Sequence, residues 1–411
     1  MTLSPPNVAI IGSGLSGLSL ALALHQQNIP STIYESRSSP LNIGGAVMLS
    51  PNALKVLSAL GLYDRVRVRG YNFQTLEYRD GAGKLLEKPY EFGGKEKYGF
   101  DGLRIYRHVL IEELLKMLGE KGIKVVFGRK FVRVVEETEE GVKWEFEGGE
   151  VGEADILVGA DGIHSTVRKY LYPDLKPTFT GMAGITAAVP TKQLKLPEGY
   201  HIPVTISTPY GGFTIAPQQV DGSEVLIGKQ KRVEENHNQA GWARVSADKD
   251  ALVKFLQQDA EHFPSIVQNA VSSIPHDKIN VWPFYIVPKL SKWASEKRRV
   301  VILGDGAHAI PPSAGQGINQ AFEDVYIFAL LLGQAYVNEK VKMQDSLSFW
   351  QEYRQQRIEK VMGLNKQIEL RRMPKEELDK MPAGSIQDIE LNWLYEPDFK
   401  RDVESWVAER A

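Results

Sequence analysis

The sequence predicts an α/β fold in which a parallel-sheet domain is interrupted by a mostly antiparallel β-sheet domain and followed by a C-terminal helical tail. Residues 7–35 read as strand, glycine turn, helix and strand. Residues 176–290 consist largely of short alternating runs divided by Gly and Pro. Residues 300–324 then return to a buried strand, a glycine-rich turn and a helix. A domain that is completed after an insertion explains all three observations.

The length of 411 residues allows two domains, because a single hydrophobic core stops growing at roughly 250 to 300 residues. We assign residues 1–175 and 291–365 to the interrupted domain. The inserted sheet domain takes residues 176–290, and the tail takes residues 366–411.

Composition narrows the class of function. The net charge of -2 gives no reason to expect a nucleic-acid partner, and the absence of cysteine excludes disulfides, thiolate metal sites and cysteine nucleophiles. The N-terminal "MTLSPPNVAII" lacks the basic region of a signal peptide, and "IFALLLGQAYV" is shorter than the ~18 apolar residues of a membrane span. These features predict a cytoplasmic protein with no membrane span and no metal.

The first glycine turn matches the pattern G-x-G-x-x-G with Gly12, Gly14 and Gly17, and Glu35 ends the next strand. In this pattern the first glycine makes the turn, the second lets backbone approach a pyrophosphate, and the third lets helix and strand pack closely. Glu35 is expected to accept hydrogen bonds from ribose hydroxyls. The motif predicts a Rossmann-like dinucleotide site but does not separate NAD from FAD.

The second glycine turn, "VVILGDGAHAIPPSAGQGINQAFED", favours FAD. Asp305 follows a strand, so its carboxylate is expected at the ligand-binding edge of the sheet, where it can accept from a ribityl chain. Pro312 stiffens the loop, and Gly315 and Gly317 lead into a helix whose free amides can face a pyrophosphate or a flavin. His308 is expected to order the loop.

Several separated motifs resemble the class A flavoprotein monooxygenases, which include para-hydroxybenzoate and salicylate hydroxylases and tetracycline-inactivating monooxygenases. The resemblance covers roughly residues 7–365. "GSGLSG" with "YESR" is similar to the AMP-binding opening of the family, "GADGIHSTVR" to its shared FAD and NAD(P)H motif, and "GDGAHAIPPSAGQGINQAFED" to its ribityl motif.

The resemblance implies a role for individual residues along FAD. Glu35 and Arg37 would hold the adenosine end, and Arg107 would reach the phosphates or the ribityl chain. The remaining cofactor-binding residues implied are Asp161, Asp305, Pro312, Gly315, Gly317 and Ile318. Ala46, which stands where many members have glycine, would lie beside the flavin ring and could bias its swing.

The inserted sheet is predicted to roof the flavin and to enclose a closed, mostly apolar substrate pocket. Aromatic side chains flanked by Gly or Pro would supply its flat walls. The predicted substrate-binding residues are Met48, Tyr210, Phe213, Trp282, Tyr285 and Pro312. Tyr210 and Tyr285 are the candidate catalytic residues.

The family resemblance implies an enzyme in which bound FAD is reduced by NAD(P)H and passes oxygen from O2 to an electron-rich carbon through a flavin C4a-hydroperoxide. An aromatic, polyketide-like or alkaloid-like small molecule is the expected substrate. Two alternatives stay open: an oxidoreductase of this fold without O2 chemistry, like the polyprenyl reductases, and a non-enzymatic binding protein like the GDP-dissociation inhibitors. The sequence predicts neither the oligomeric state nor the choice between NADH and NADPH.

Overall fold

The computed structural model describes residues 5–40, 45–372 and 379–410 and has an α/β fold. Its strands are β1 Val8–Ile11, β2 Ser31–Tyr34, β3 Ala46–Leu49, β4 Tyr71–Phe73, β5 Thr75–Asp80, β6 Tyr90–Glu91, β7 Gly102–Tyr106, β8 Lys124–Val126, β9 Phe131–Glu137, β10 Val142–Phe146, β11 Val151–Ala154, β12 Ile156–Gly159, β13 Thr178–Pro190, β14 Val204–Thr208, β15 Gly211–Pro217, β16 Glu224–Arg232, β17 Ile279–Ile286 and β18 Val300–Ile302. Its helices are α1 Leu15–Gln26, α2 Pro51–Ala59, α3 Tyr63–Val66, α4 Lys95–Tyr98, α5 Arg107–Glu120, α6 Arg168–Leu171, α7 Gln239–Ala247, α8 Lys249–Gln257, α9 Ser265–Ala270, α10 Asp305–His308, α11 Gly317–Val337, α12 Met343–Arg372, α13 Asn392–Tyr395 and α14 Phe399–Ala408.

A parallel sheet with the strand order β18-β12-β1-β2-β8 forms the nucleotide-binding half. Every residue of β1, β12 and β18 is buried, as expected for apolar strands that helices cover on both faces. Helix α1 packs against both α5 and α11. Because these strands are parallel, the turns that follow β1, β12 and β18 meet at one edge of the sheet.

A second sheet has seven strands in the order β17-β13-β16-β15-β14-β5-β6, and all its pairings are antiparallel except β14 with β5. The predicted bounds of 176–290 leave out β5 and β6, which reach this sheet from the first segment of the chain. Their partners are far away in sequence, so the local pattern of residues 75–91 does not reveal the pairing.

The two faces of the seven-stranded sheet have different surroundings. Along β15, Phe213 and Ile215 are buried in a core that α8 and α9 complete. Thr214 and Ala216 alternate with them and face the opposite side, toward the nucleotide-binding half. Two smaller three-stranded sheets, β3-β7-β4 and β11-β10-β9, complete the strands.

The C-terminal segment is helical and integrated into the core. Helix α12 continues beyond residue 365, and Tyr395 of α13 is fully buried beside Tyr98, with ring centroids 5.1 Å apart. Trp406 of α14 stacks on Phe349 at 4.8 Å. Part of the predicted tail, residues 373–378, lies outside the described residues. Within the described chain, no helix has the length and apolarity to cross a membrane.

Candidate active site

The turn after β1 shows why glycine is required at two of its positions. Gly12 has φ +108°, and a Cβ there would come within 2.6 Å of the carbonyl oxygen of Ala160. A Cβ on Gly17 would lie 2.0 Å from the carbonyl oxygen of Gly12, so only glycine lets α1 approach the strand. A Cβ on Gly14 meets no protein atom within 4 Å, so this position faces open space beside the turn.

Three charged side chains from separate elements face the same cleft. Asp161 follows β12, and one of its carboxylate oxygens accepts the amides of Thr166 and Val167 at 2.7 and 3.1 Å. The other oxygen is buried without a partner, as is Nε of Arg107 at the start of α5. Burial accordingly raises the pKa of Asp161 and lowers the pKa of Arg107.

Asp305, at the start of α10, is accessible from the cleft and accepts no hydrogen bond from the described residues. The protein packed around it raises the pKa of its carboxyl, and the positive fields of His308 and Arg107 oppose that rise. Among the described residues, Arg107 and Asp305 form no ion pair, although each influences the pKa of the other. The pair therefore flanks a space that a ligand can fill.

Helix α11 presents its N-terminus to the same cleft. It begins at Gly317, and no side chain caps the first amides, including that of Ile318. Gly315 has φ +64°, and Pro312 opens the short turn before it. The amide of Ala314 donates to Oδ1 of Asn365 at 2.7 Å, which fixes this loop to α12.

A cavity of about 360 Å³ lies between these elements and the seven-stranded sheet. The nucleotide-binding half contributes Ala46, Met48, Arg104, Arg107, Pro312 and Gly315. The sheet contributes Thr186, Thr205, Thr214, Ala216, Leu226 and Trp282. Its lining is largely apolar. The cavity thus lies between the surface predicted to bind the cofactor and the sheet surface predicted to bind the substrate.

A family model described as FAD binding domain matches residues 6–364, which span the parallel sheet, the inserted sheet and α11. The chain belongs to the class A FAD-dependent monooxygenases. FAD is therefore the cofactor that the cleft has to accommodate.

Relatives of this monooxygenase match it over most of their length. It is 30% identical to the 3-amino-4-hydroxybenzoate 2-monooxygenase PtmB3 of Streptomyces platensis over 80% of each chain. It is 28% identical to hispidin-3-hydroxylase of Neonothopanus nambi over 86% of each chain. An HpxO variant from Klebsiella pneumoniae, solved in complex with FAD, has the same fold, with a TM-score of 0.77, 21% identity and 98% coverage of each chain.

The polar and backbone groups of the cleft match the chemical groups of FAD. An open glycine turn at a helix N-terminus suits a pyrophosphate, and the unpartnered groups of Asp161, Arg107 and Asp305 suit a ligand with phosphates and hydroxyls. The uncapped N-terminus of α11 suits an electron-rich ring edge. A buried polar atom without a partner is costly unless a ligand supplies one.

We expect Gly14→Ala to weaken FAD binding without weakening the fold. The added methyl group meets no protein atom, and the backbone of Gly14 is extended, so Ala is tolerated there. It would occupy the space through which backbone approaches the pyrophosphate. Titration of the apoprotein with FAD, compared with its thermal unfolding, measures both effects.

The matched control is Gly119→Ala, which also adds a methyl group in open space but lies in α5 away from the turn. This variant should keep wild-type FAD affinity. Equal FAD affinities for Gly14→Ala and Gly119→Ala would contradict the placement of the pyrophosphate.

Glu35 is more engaged with protein than the sequence suggests. It is 5% exposed and accepts from the amide and hydroxyl of Ser13 at 3.0 and 2.8 Å, and from the amide of Arg37 at 2.9 Å. Burial acts to raise the pKa of Glu35, but these hydrogen bonds outweigh it and leave the pKa below its usual value. Glu35 therefore stabilises the glycine turn as an ionised carboxylate, and its bond to ribose stays a prediction.

The structure brings only part of the predicted substrate pocket together. Met48, Trp282 and Pro312 line the cavity. Phe213 does not, because it is fully buried on the opposite face of the sheet, packed against Phe263. The alternation of β15 gives the cavity Thr214 instead.

Neither candidate catalytic tyrosine lines this cavity. Tyr210 is 50% exposed at the β14–β15 turn and stacks on His262 at 4.0 Å. It lines a depression that adjoins the cavity and shares Thr214 and Pro312 with it. The hydroxyl of Tyr285 donates to Asn236 at 2.7 Å and accepts from the indole of Trp242 at 3.0 Å. A catalytic role for Tyr210 or Tyr285 stays a prediction.

A buried polar network behind the cleft escaped the sequence analysis. Asp324 of α11 accepts from the amide of Gly304 at 2.9 Å and contacts Nε2 of His308 at 2.5 Å, so it fixes the loop that carries Asp305. The other oxygen of Asp324 accepts from Nε of Arg354 in α12 at 2.8 Å. His308 thus orders the loop, as its position in the motif predicts.

Glu323 extends this network toward α2. It accepts from Nδ2 of Asn52 at 2.6 Å and from Nε of Arg357 at 2.6 Å, and it also pairs with Arg354. Burial acts to raise the pKa of Glu323, but the positive charges of Arg354 and Arg357 outweigh it and leave the pKa below its usual value. The sequence did contain a feature that could have revealed this network: the run of polar residues in "GINQAFED" is unusual on a helix that packs into a core.

Proposed function

We propose that this protein is an NAD(P)H-dependent, FAD-containing monooxygenase that hydroxylates an electron-rich aromatic or polyketide-like small molecule with O2. FAD, when bound, supplies the hydride acceptor and the site of oxygen activation. The observation that carries the proposal is the single cavity in which Ala46, Arg107 and Gly315 of the FAD-binding half face Thr214 and Trp282 of the sheet. The benzoate in the name of the Streptomyces platensis relative supports an aromatic substrate.

The protein residues supply position and the exclusion of water. We propose that Arg37 and Glu35 hold the adenosine end of FAD, and that Asp161, Arg107 and Asp305 bind its phosphate and ribityl region. Ala46, Gly317 and Ile318 would lie beside the ring, and Pro312 and Gly315 would form the adjoining lip. A substrate held against the ring by the sheet is shielded from water, and shielding suppresses side reactions that release hydrogen peroxide.

A substrate screen tests this proposal. The purified protein should be yellow with about one FAD per chain, and a suitable aromatic compound should accelerate NAD(P)H oxidation and O2 uptake and yield a hydroxylated product. Product formation without O2 uptake would favour a reductase, and a protein that cannot be loaded with FAD would favour a binding protein. A cytoplasmic location remains a prediction from the sequence.

We expect Trp282→Ala to leave FAD content unchanged and to increase the fraction of NAD(P)H that is spent on hydrogen peroxide. Trp282 lines the cavity from the sheet side, so its removal loosens the substrate without touching the FAD-binding half. A misplaced substrate carbon cannot intercept the oxygen that the enzyme activates. Peroxide and product are measured in the same reaction.

Tyr210→Phe is the matched control, because Tyr210 is an aromatic residue of the β14–β15 turn that lines the adjoining depression but not the cavity itself. It should couple NAD(P)H oxidation to product as the wild type does. If Tyr210→Phe uncouples the reaction and Trp282→Ala does not, the substrate lies in the other depression.

A further inference from the structure

Arg104 is a buried arginine that lines the cavity from the middle of β7. It is 5% exposed, and its backbone pairs with Met48 of β3 and Tyr71 of β4. Nε donates to the carbonyl oxygen of Pro217 at 2.5 Å, and Nη2 donates to Oε1 of Gln218 at 2.7 Å. Nη1 donates to none of the described residues, and the side chain borders the cavity.

The other charged residues of the cavity lining each have an opposite charge in their surroundings. Glu77 pairs with Arg79 at 2.6 Å. Arg107 faces the carboxylate of Asp305, whose field supports its charge. For Arg104, no carboxylate of the described residues lies within ion-pair distance, and both of its acceptors are neutral oxygens. Among the described residues, Arg104 is therefore the lining arginine that has no carboxylate beside it, whereas Arg107 lies in the field of Asp305.

An uncompensated buried cation is unfavourable, because neutral acceptors replace only part of the hydration that the cation loses on burial. Burial lowers the pKa of Arg104 to about 10, which still leaves the guanidinium charged at neutral pH. The two hydrogen bonds to β15 and to Gln218 hold it rigidly, with Nη1 as the remaining donor group. Such a fixed, charged donor in an apolar cavity is suited to one ligand chemistry, an anionic oxygen.

We propose that Arg104 determines substrate specificity by binding an anionic oxygen, a carboxylate or an ionised phenol or enol, on the aromatic substrate. This inference rests on the proposed function, since it places the substrate in the cavity beside FAD. The substrate would then be an amphiphile whose ring lies against Trp282 and whose charge is neutralised by Arg104. The benzoate in the name of the Streptomyces platensis relative is of this kind.

The test compares benzoate with its neutral isostere benzamide on the FAD-loaded protein, with binding followed by the change in flavin absorbance. Wild-type protein should bind benzoate at least about tenfold more tightly, as expected for one charge-assisted hydrogen bond. Arg104→Gln should lose this preference and keep its FAD. Arg104→Lys, which retains the charge without the fork of donors, should keep part of the preference.

Thr214→Val is the matched control, because it removes a polar group from the same cavity without changing a charge. It should change the affinity for the two ligands by the same factor. Titration with 4-nitrophenol, below and above the pH at which its hydroxyl ionises, distinguishes a phenolate site from a carboxylate site. A phenolate site should bind the ionised 4-nitrophenol more tightly than benzoate, and a carboxylate site should bind benzoate more tightly.

The inference is overturned if wild-type protein binds benzamide as tightly as benzoate, or if the preference survives in Arg104→Gln. It is also overturned if Arg104→Gln loses FAD while Arg104→Lys retains FAD but shows no benzoate preference, since Arg104 would then serve the cofactor. Efficient hydroxylation of neutral aromatics with no benzoate preference would overturn the inference and leave the proposed function intact. A FAD-loaded protein in which no aromatic compound accelerates NAD(P)H oxidation would instead contradict the proposed function.

Discussion

Asp305→Ala should lower the affinity for FAD by a factor of roughly 10 to 150, which corresponds to the loss of a charge-assisted hydrogen bond of about 1.5 to 3 kcal/mol. The carboxylate follows β18 at the ligand-binding edge of the parallel sheet and accepts no hydrogen bond from the described residues. Its acceptor capacity is therefore free for the ribityl hydroxyls. Titration of apoprotein with FAD, followed by flavin fluorescence, gives the affinity.

In the apoprotein at neutral pH, the carboxyl group of Asp305 should lower the free energy of unfolding. Because the surrounding protein raises the pKa of Asp305, the folded state disfavours its ionised form at neutral pH. Asp305→Asn should therefore unfold at a higher temperature than wild-type apoprotein at neutral pH. This advantage should shrink as the pH falls through the raised pKa and disappear below the usual pKa of an aspartate, where both side chains are neutral.

Arg107→Ala provides the second arm of this experiment. Its Nε is buried without a partner, so we expect FAD affinity to fall here as well. The control is Arg65→Ala, which removes an arginine of α3 that pairs with the buried Glu113 and the exposed Glu120 of α5. Wild-type FAD affinity in both Asp305→Ala and Arg107→Ala would show that the ribityl chain lies elsewhere.

The arrangement of the glycine turn and of the two aspartates was predictable because its geometry is local or set by topology. The three glycines Gly12, Gly14 and Gly17 lie within one turn. Gly17 is required by its contact with the carbonyl of Gly12, and Gly12 by the backbone that follows the neighbouring strand β12, whereas Gly14 faces open space. Asp161 and Asp305 are distant in sequence, but each follows a strand of one parallel sheet. The carboxyl ends of such strands share an edge, so the order of elements is enough to bring them together.

The substrate side was predicted less well because the sequence does not show which face of the sheet a helix covers. Alternation along β15 assigns Phe213 and Thr214 to opposite faces, but only the packing of α8 and α9 decides which of them is core. The aromatic residues that stand out in the sequence are therefore poor guides. Tyr210 is an exposed turn residue, whereas the inconspicuous Arg104 in "GLRIY" borders the cavity.

Arg354→Met should destabilise the protein by about 3 to 5 kcal/mol, the usual cost of breaking a buried ion pair by removing one partner. Arg354 is fully buried between Glu323 and Asp324, and its Nη2 also donates to Oε1 of Gln320 at 2.6 Å. Methionine fills a similar volume but leaves both carboxylates short of a counterion. Denaturant unfolding of the FAD-free protein measures the loss.

The effect of each substitution in this network on the free energy of unfolding should depend on its partners. Arg354→Met combined with Asp324→Asn should be less destabilised than the sum of the single variants, because the amide no longer leaves a charge unpaired. Arg65→Met, which breaks an ion pair on the surface, should change stability far less. If Arg354→Met proves as stable as Arg65→Met, α12 does not hold α11 through this network. Asp324 would then need another support to keep Gly304 and His308, and with them Asp305, in place.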